Sequence, residues 1–261
     1  MTGSALAGLG TLLALMSAVW LASVVRRDAS IVDIWWSLAI LAAACVYASD
    51  ADHLTPRRIL VLAALVLWAM RLAAYLAWRG WGVQEDRRYQ AMRARRPRFQ
   101  WSSLFIVFWF QAVLAWVISL PLLVGMQGEP QDAPRLLDAV GALLFAIGFG
   151  FEAVGDWQMA RFKADSANRG RVLDRGLWRY TRHPNYFGES VLWWGLWLLA
   201  GATPGALWTI VSPVLLTWLL LRVSGVRLLE SALLNEKPAY RDYVARTSAF
   251  LPMPPRPIRG R

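Results

Sequence analysis

Seven apolar runs of 16 to 22 residues recur along this chain, and the first is long enough to cross a bilayer, which takes ~20 residues. They cover about 4–25, 30–49, 59–78, 103–124, 136–156, 185–200 and 206–221. In lipid every backbone polar group must find its partner inside the segment, so runs of this kind fold as helices. An all-α polytopic membrane protein forming a single integral domain is therefore the expected fold. Over 261 residues, 57% are hydrophobic and the mean hydropathy is +0.38, well above a soluble domain.

The arginines orient these spans. A formal net charge of +11 also suits nucleic-acid binding, but here the basic residues fall in loops between apolar runs, as the positive-inside rule describes. Loops 79–102 and 157–184 and the tail 222–261 are basic and are expected in the cytosol. Arg79, Arg87, Arg88, Arg93, Arg95, Arg96 and Arg98 crowd the first of these loops against Glu85 and Asp86. With 26–29 on the same side, the N-terminus lies outside and the C-terminus inside. Arg57 and Arg58 run against this pattern. No basic segment precedes the first run, so it reads as a retained helix. One cysteine, Cys45, and two histidines, His53 and His183, leave no disulfide framework or multi-histidine metal centre to build.

Ionisable residues inside spans are costly, and they concentrate near the expected cytosolic ends. These are Asp33, Arg71 with Tyr75, Glu152 with Asp156, Asn185 with Glu189, and Arg222. Local roles are open for several of them. Arg71 and Arg222 also fit snorkelling to the interface, and Asp33 also fits pairing with Arg26 or Arg27. The arginines of 79–101 fit topology signals and lipid headgroups. Asn185 and Glu189 stand four apart on one helical face just after Pro184, and lipid offers them no partner. Arginines from Arg161 to Arg182 precede them, and guanidinium forks grip phosphate in pairs of bonds. No Gly-x-Gly-x-x-Gly run follows a strand, so a nucleotide would have to be held by helices and loops rather than by a Rossmann domain.

The run Asn185, Tyr186, Phe187, Gly188, Glu189 resembles the signature of the steroid 5α-reductase family, in particular its bacterial membrane proteins of unknown function. Asp156 followed seven residues later by Lys163, Gly176 before the signature, and Tyr243 followed nine residues later by Pro252 add to the likeness. The resemblance implies a seven-helix protein in the bacterial inner membrane with a cytosol-facing NADPH pocket. The implied reaction is hydride transfer to the β-carbon of a lipophilic enone, with an acid polarising the carbonyl. It places Asp156, Lys163, Arg171, Arg179, Arg182, His183, Asn185, Tyr186, Glu189 and Arg222 at the cofactor. For the polarising pair the family uses a Glu in helix two and a Tyr in helix three. This chain offers Asp33 and Tyr75, with Trp68 at the helix-three position nearest the family tyrosine. A monomer acting on a lipophilic small molecule among membrane lipids, with no nucleic acid, is expected.

Arg182, His183, Pro184, Tyr186 and Gly188 equally resemble the isoprenylcysteine carboxyl methyltransferase type, whose cofactor is S-adenosylmethionine. Asn185, Glu189, Asp156 and Lys163 favour the reductase. A non-enzymatic scaffold leaves the converging polar residues without a task.

Overall fold

The computed structural model describes residues 1–129, 136–201, 203, 205–223, 230 and 239–257. Nine helices carry these residues: α1 (Thr2–Arg26), α2 (Ile31–Ser49), α3 (Pro56–Gly80), α4 (Arg87–Arg95), α5 (Phe99–Gln127), α6 (Leu136–Ala164), α7 (Pro184–Gly201), α8 (Ala206–Val223) and α9 (Ala239–Arg246). No strand occurs among them beyond an isolated bridge between Thr181 and Ser248.

Six of these helices are long and apolar enough to cross a membrane: α1, α2, α3, α5, α6 and α8. The expected span 185–200 is also helical, as α7, but is not among the six, because polar Asn185 and Glu189 occupy its opening turns. Two boundaries differ from the sequence reading. The stretch 79–102 is not all loop, because it contains α4. Helix α6 continues eight residues past Asp156 to Ala164, through good helix formers such as Gln158, Met159, Ala160 and Arg161.

Local chemistry sets the helix ends. Arg27, in the left-handed region at φ 54°, closes α1. The Asp28 N–H donates to Ser23 O at 3.0 Å and the Arg27 N–H to Val24 O at 3.3 Å, the paired bonds of a Schellman stop. Thr55 Oγ1 accepts from Arg58 N at the start of α3, with Pro56 at the first position. The Asp86 carboxylate accepts from Arg88 N at the start of α4.

The chain divides into two compact units, residues 1–138 with 199–212, and residues 139–198 with 213–261. In the first, α2 packs against α1, α3 and α5, around the fully buried Leu12, Met16, Tyr47, Trp68, Phe108 and Ile118. The buried hydroxyls here are paired: Tyr47 with Ser119 at 3.0 Å, Ser37 with Ala69 O, and Ser212 with Ile118 O. The two arginines that oppose the charge pattern have internal work. Arg57 forms a two-bond pair with Asp138 at 2.7 and 2.8 Å, and Arg58 donates to the carbonyls of His53 and Gly128. A guanidinium consumed in this way is no longer a free topological charge.

In the second unit α7 lies between α6 and α8. Towards α8, Ser190 and Trp194, four apart, meet Thr217 at 2.8 and 3.3 Å. Towards α6 the approach is closer, and glycine makes it possible. A Cβ on Gly188 would sit 2.4 Å from Glu152 N, and one on Gly148 would sit 2.4 Å from Leu192 N.

Candidate functional site

The buried face of α6 reads Gly141, Phe145, Gly148, Glu152, Gly155, Asp156, a helical stripe of three- and four-residue steps. Its glycines bring α7 close, and its acids then lie beside the start of that helix. Asp156 is 5% exposed and Glu152 is 2% exposed. Asn185 Nδ2 donates to Asp156 Oδ1 at 3.2 Å, and the Asn185 backbone lies against Gly155. Glu189 follows one turn along on the Asn185 face. A carboxylate, a carboxamide and two further acids thus gather at one helix crossing. Lys163 lies on the same α6 face as Asp156, two turns on and exposed.

Arg182 and His183 occupy a different environment from the expected one. Arg182 is 8% exposed. Its Nε and Nη2 hold both oxygens of Glu230 at 2.7 and 3.1 Å, and its Nη1 donates to Val244 O at 3.1 Å and to Thr247 O. His183 Nε2 lies 3.2 Å from Glu230 Oε1, and the His183 ring stacks on Tyr186 at 5.5 Å. These three groups form an internal clamp that fastens α9 and the residues after it to the start of α7.

Burial alone would raise the Glu230 carboxyl. The hydrogen bonds and charges of His183 and Arg182 reverse that and hold it at about 2, down from an ordinary 4.5. The clamp is therefore complete above pH 4.5 and is lost as pH falls towards 2. The thermal midpoint in detergent should be higher for the wild type than for Glu230→Gln at pH 7, and the gap should close by about pH 2. A gap that persists there would assign the stabilisation to another group.

Arg179 borders a cavity with Gly176, while Arg171 is exposed in the stretch after α6, and Arg222 is exposed at the end of α8. Of the expected cofactor residues the structure brings together Asp156 with Asn185, His183 with Tyr186, and Arg182 and His183 with Glu230.

Asp33 and Tyr75 belong to the first unit. Both oxygens of Asp33 are engaged: Arg88 Nη2 donates to Oδ2 at 2.7 Å and the Tyr89 hydroxyl to Oδ1 at 2.9 Å. Gln111 donates to that hydroxyl at 3.3 Å. Burial, and then the Asp33 charge, push the Tyr89 phenol well up, so it stays a proton donor. Tyr75 instead stacks with the guanidinium groups of Arg71 and Arg79, 5.9 and 5.6 Å from its ring centre. Tyr89, rather than Tyr75, is the tyrosine bonded to Asp33. It lies 5% exposed on α4, in a run whose arginines disguise a buried aromatic. Sequence reasoning also passed over Glu230, whose partners stand 47 and 48 residues away.

Residues 19–247 match the family described as Protein of unknown function (DUF1295). An uncharacterised protein of Schizosaccharomyces pombe is 26% identical over 267 residues, spanning 90% of this chain and 76% of its own length. No solved structure matches the chain.

Proposed function

The chain belongs to the DUF1295 family of proteins of unknown function, and we propose that it is an NADPH-dependent membrane reductase of a carbon–carbon double bond in a lipophilic substrate. The observation that carries this reading is the buried Asp156 carboxylate bonded to Asn185 where α7 opens. A carboxamide ligand group needs one acceptor and one donor at fixed spacing, and Glu189 and Asn185 on one face fit that need. NADPH supplies a hydride when bound. Asp156 orients the Asn185 amide, and Glu152 and Glu189 keep the crossing acidic. The glycine contact keeps α6 and α7 together. In this reading α7 is a seventh span, and the site faces the cytosol of a bacterial cell.

The methyltransferase alternative shares Arg182, His183, Pro184, Tyr186 and Gly188. Arg182 and His183 are engaged with Glu230 and Gly188 with α6, so those shared residues have structural tasks that suit either chemistry. The residues that differ, Asp156, Asn185 and Glu189, favour the reductase.

Detergent-purified protein titrated with NADPH and with S-adenosylmethionine tests the choice. Saturable NADPH binding, weakened roughly tenfold in Asn185→Ala as a hydrogen bond to the ligand amide is lost, is the expected result. Binding of the methyl donor alone would sink the reductase reading. A panel of lipophilic enones followed by NADPH oxidation then identifies the substrate class.

A further inference from the structure

The stretch between α6 and α7 and the residues after α9 enclose a cavity of about 470 Å³. Arg175, Arg179, Arg246 and Arg256 border it against one carboxylate, Asp174, which Arg246 already holds. Four guanidinium groups around one acid leave an excess of three positive charges. The side chains of Arg175, Arg179 and Arg256 have no hydrogen bond or ion pair among the described residues. Like charges drawn around one hole repel, and screening over ~10 Å relieves only part of that.

The backbone beneath them is fixed. Gly176, at φ 62°, is pressed so close to α6 that a Cβ would meet Gln158 Nε2 at 2.5 Å, and Gln158 Oε1 accepts from Leu177 N. Trp178 Nε1 donates to Gly155 O at 3.1 Å. On the other wall, Arg182 N bonds Ser248 O, Met253 N bonds Tyr180 O, and Arg256 N bonds Arg246 O at 2.8 Å. The repulsion is thus built into a braced framework rather than spread over loose side chains. Planar guanidinium forks in this number match phosphate oxygens.

We propose that this cavity binds a phosphate group of at least two negative charges, held by Arg175, Arg179, Arg246 and Arg256. The ligand is a nucleotide phosphomonoester or the headgroup of phosphatidic acid, which present the same chemistry. The inference shares Arg179 with the residues that the resemblance places at the cofactor, but it rests on the cavity and stands without the reductase reading. Should both hold, one turn of α6 serves both places, since Gln158 lies two residues past Asp156.

Inorganic pyrophosphate is the probe, titrated by calorimetry into the full chain in uncharged detergent. Binding should weaken with salt and fall about a hundredfold in an Arg175→Gln, Arg256→Gln double variant, at roughly tenfold per lost charge-assisted contact. Arg96→Gln, on the exposed end of α4, should bind as wild type does. A measurement on unaltered protein guards against misfolding: pyrophosphate should protect Arg175, Arg179 and Arg256 from phenylglyoxal, read by mass spectrometry. Displacement by 2′,5′-ADP assigns a nucleotide source, and displacement by detergent-solubilised phosphatidic acid a lipid one. Asn185→Ala should keep pyrophosphate whatever becomes of NADPH, so the two readings fail separately. Absent binding, or equal binding in the double variant with protection no greater than at Arg96, overturns the proposal.

Discussion

Replacing Gly188 with alanine is expected to force α6 and α7 apart. The new Cβ would lie 2.4 Å from Glu152 N and 2.5 Å from Gly148 O. Both obstacles are backbone, with no rotamer to retreat into, so a whole helix must move. Gly8 shows the contrast. There a Cβ would meet the Tyr47 ring at 2.3 Å, and the ring is the far end of a side chain. Overpacking of the Gly188 kind costs about 1–3 kcal/mol. It also displaces the Asn185 amide from Asp156, so thermal midpoint and NADPH affinity should fall together. Gly150→Ala on the open side of α6, where nothing lies within 4 Å, should leave both unchanged. An unaltered midpoint in Gly188→Ala would mean that the two helices do not touch there.

Arg182→Ala should be costlier still, at about 3–5 kcal/mol, because it strands a largely buried carboxylate. The Glu230 side chain is 16% exposed, and the carbonyls of Val244 and Thr247 lose their donor as well. Hydrogen exchange of the Tyr243–Met253 amides should rise sharply while amides in α1 to α3 hold. Lysine at 182 should recover little, since one ammonium cannot span both Glu230 oxygens and two carbonyls. Unchanged exchange in that segment would remove the clamp from the description of this protein.

How much of this was legible beforehand depends on the range of each interaction. Long apolar runs report their own burial, so α1, α2, α3, α5 and α8 follow from the sequence within a few residues, and α6 does so at its start. The Asp156–Asn185 contact was approached through a resemblance, since 29 residues separate the two and no periodicity links them. Tyr89 was hidden because a basic run looks solvated throughout, yet Asp86 caps a short helix there and turns one aromatic inward. The Arg182 partners were out of reach, because nothing local at 182 distinguishes a phosphate-binding guanidinium from one that grips a carboxylate far along the chain. Arg57 and Arg58 were seen as exceptions to a charge rule, and only their partners explain why.

The clamp also sets a schedule for synthesis. Thr247 is made 65 residues after the arginine that grips it, an interval of roughly 3–13 s at ~5–20 residues per second. Glu230 arrives 48 residues after Arg182, so until then the nascent chain carries an unmatched guanidinium at the mouth of α7. Those contacts of the clamp therefore close late, after α6 and α7 have been made.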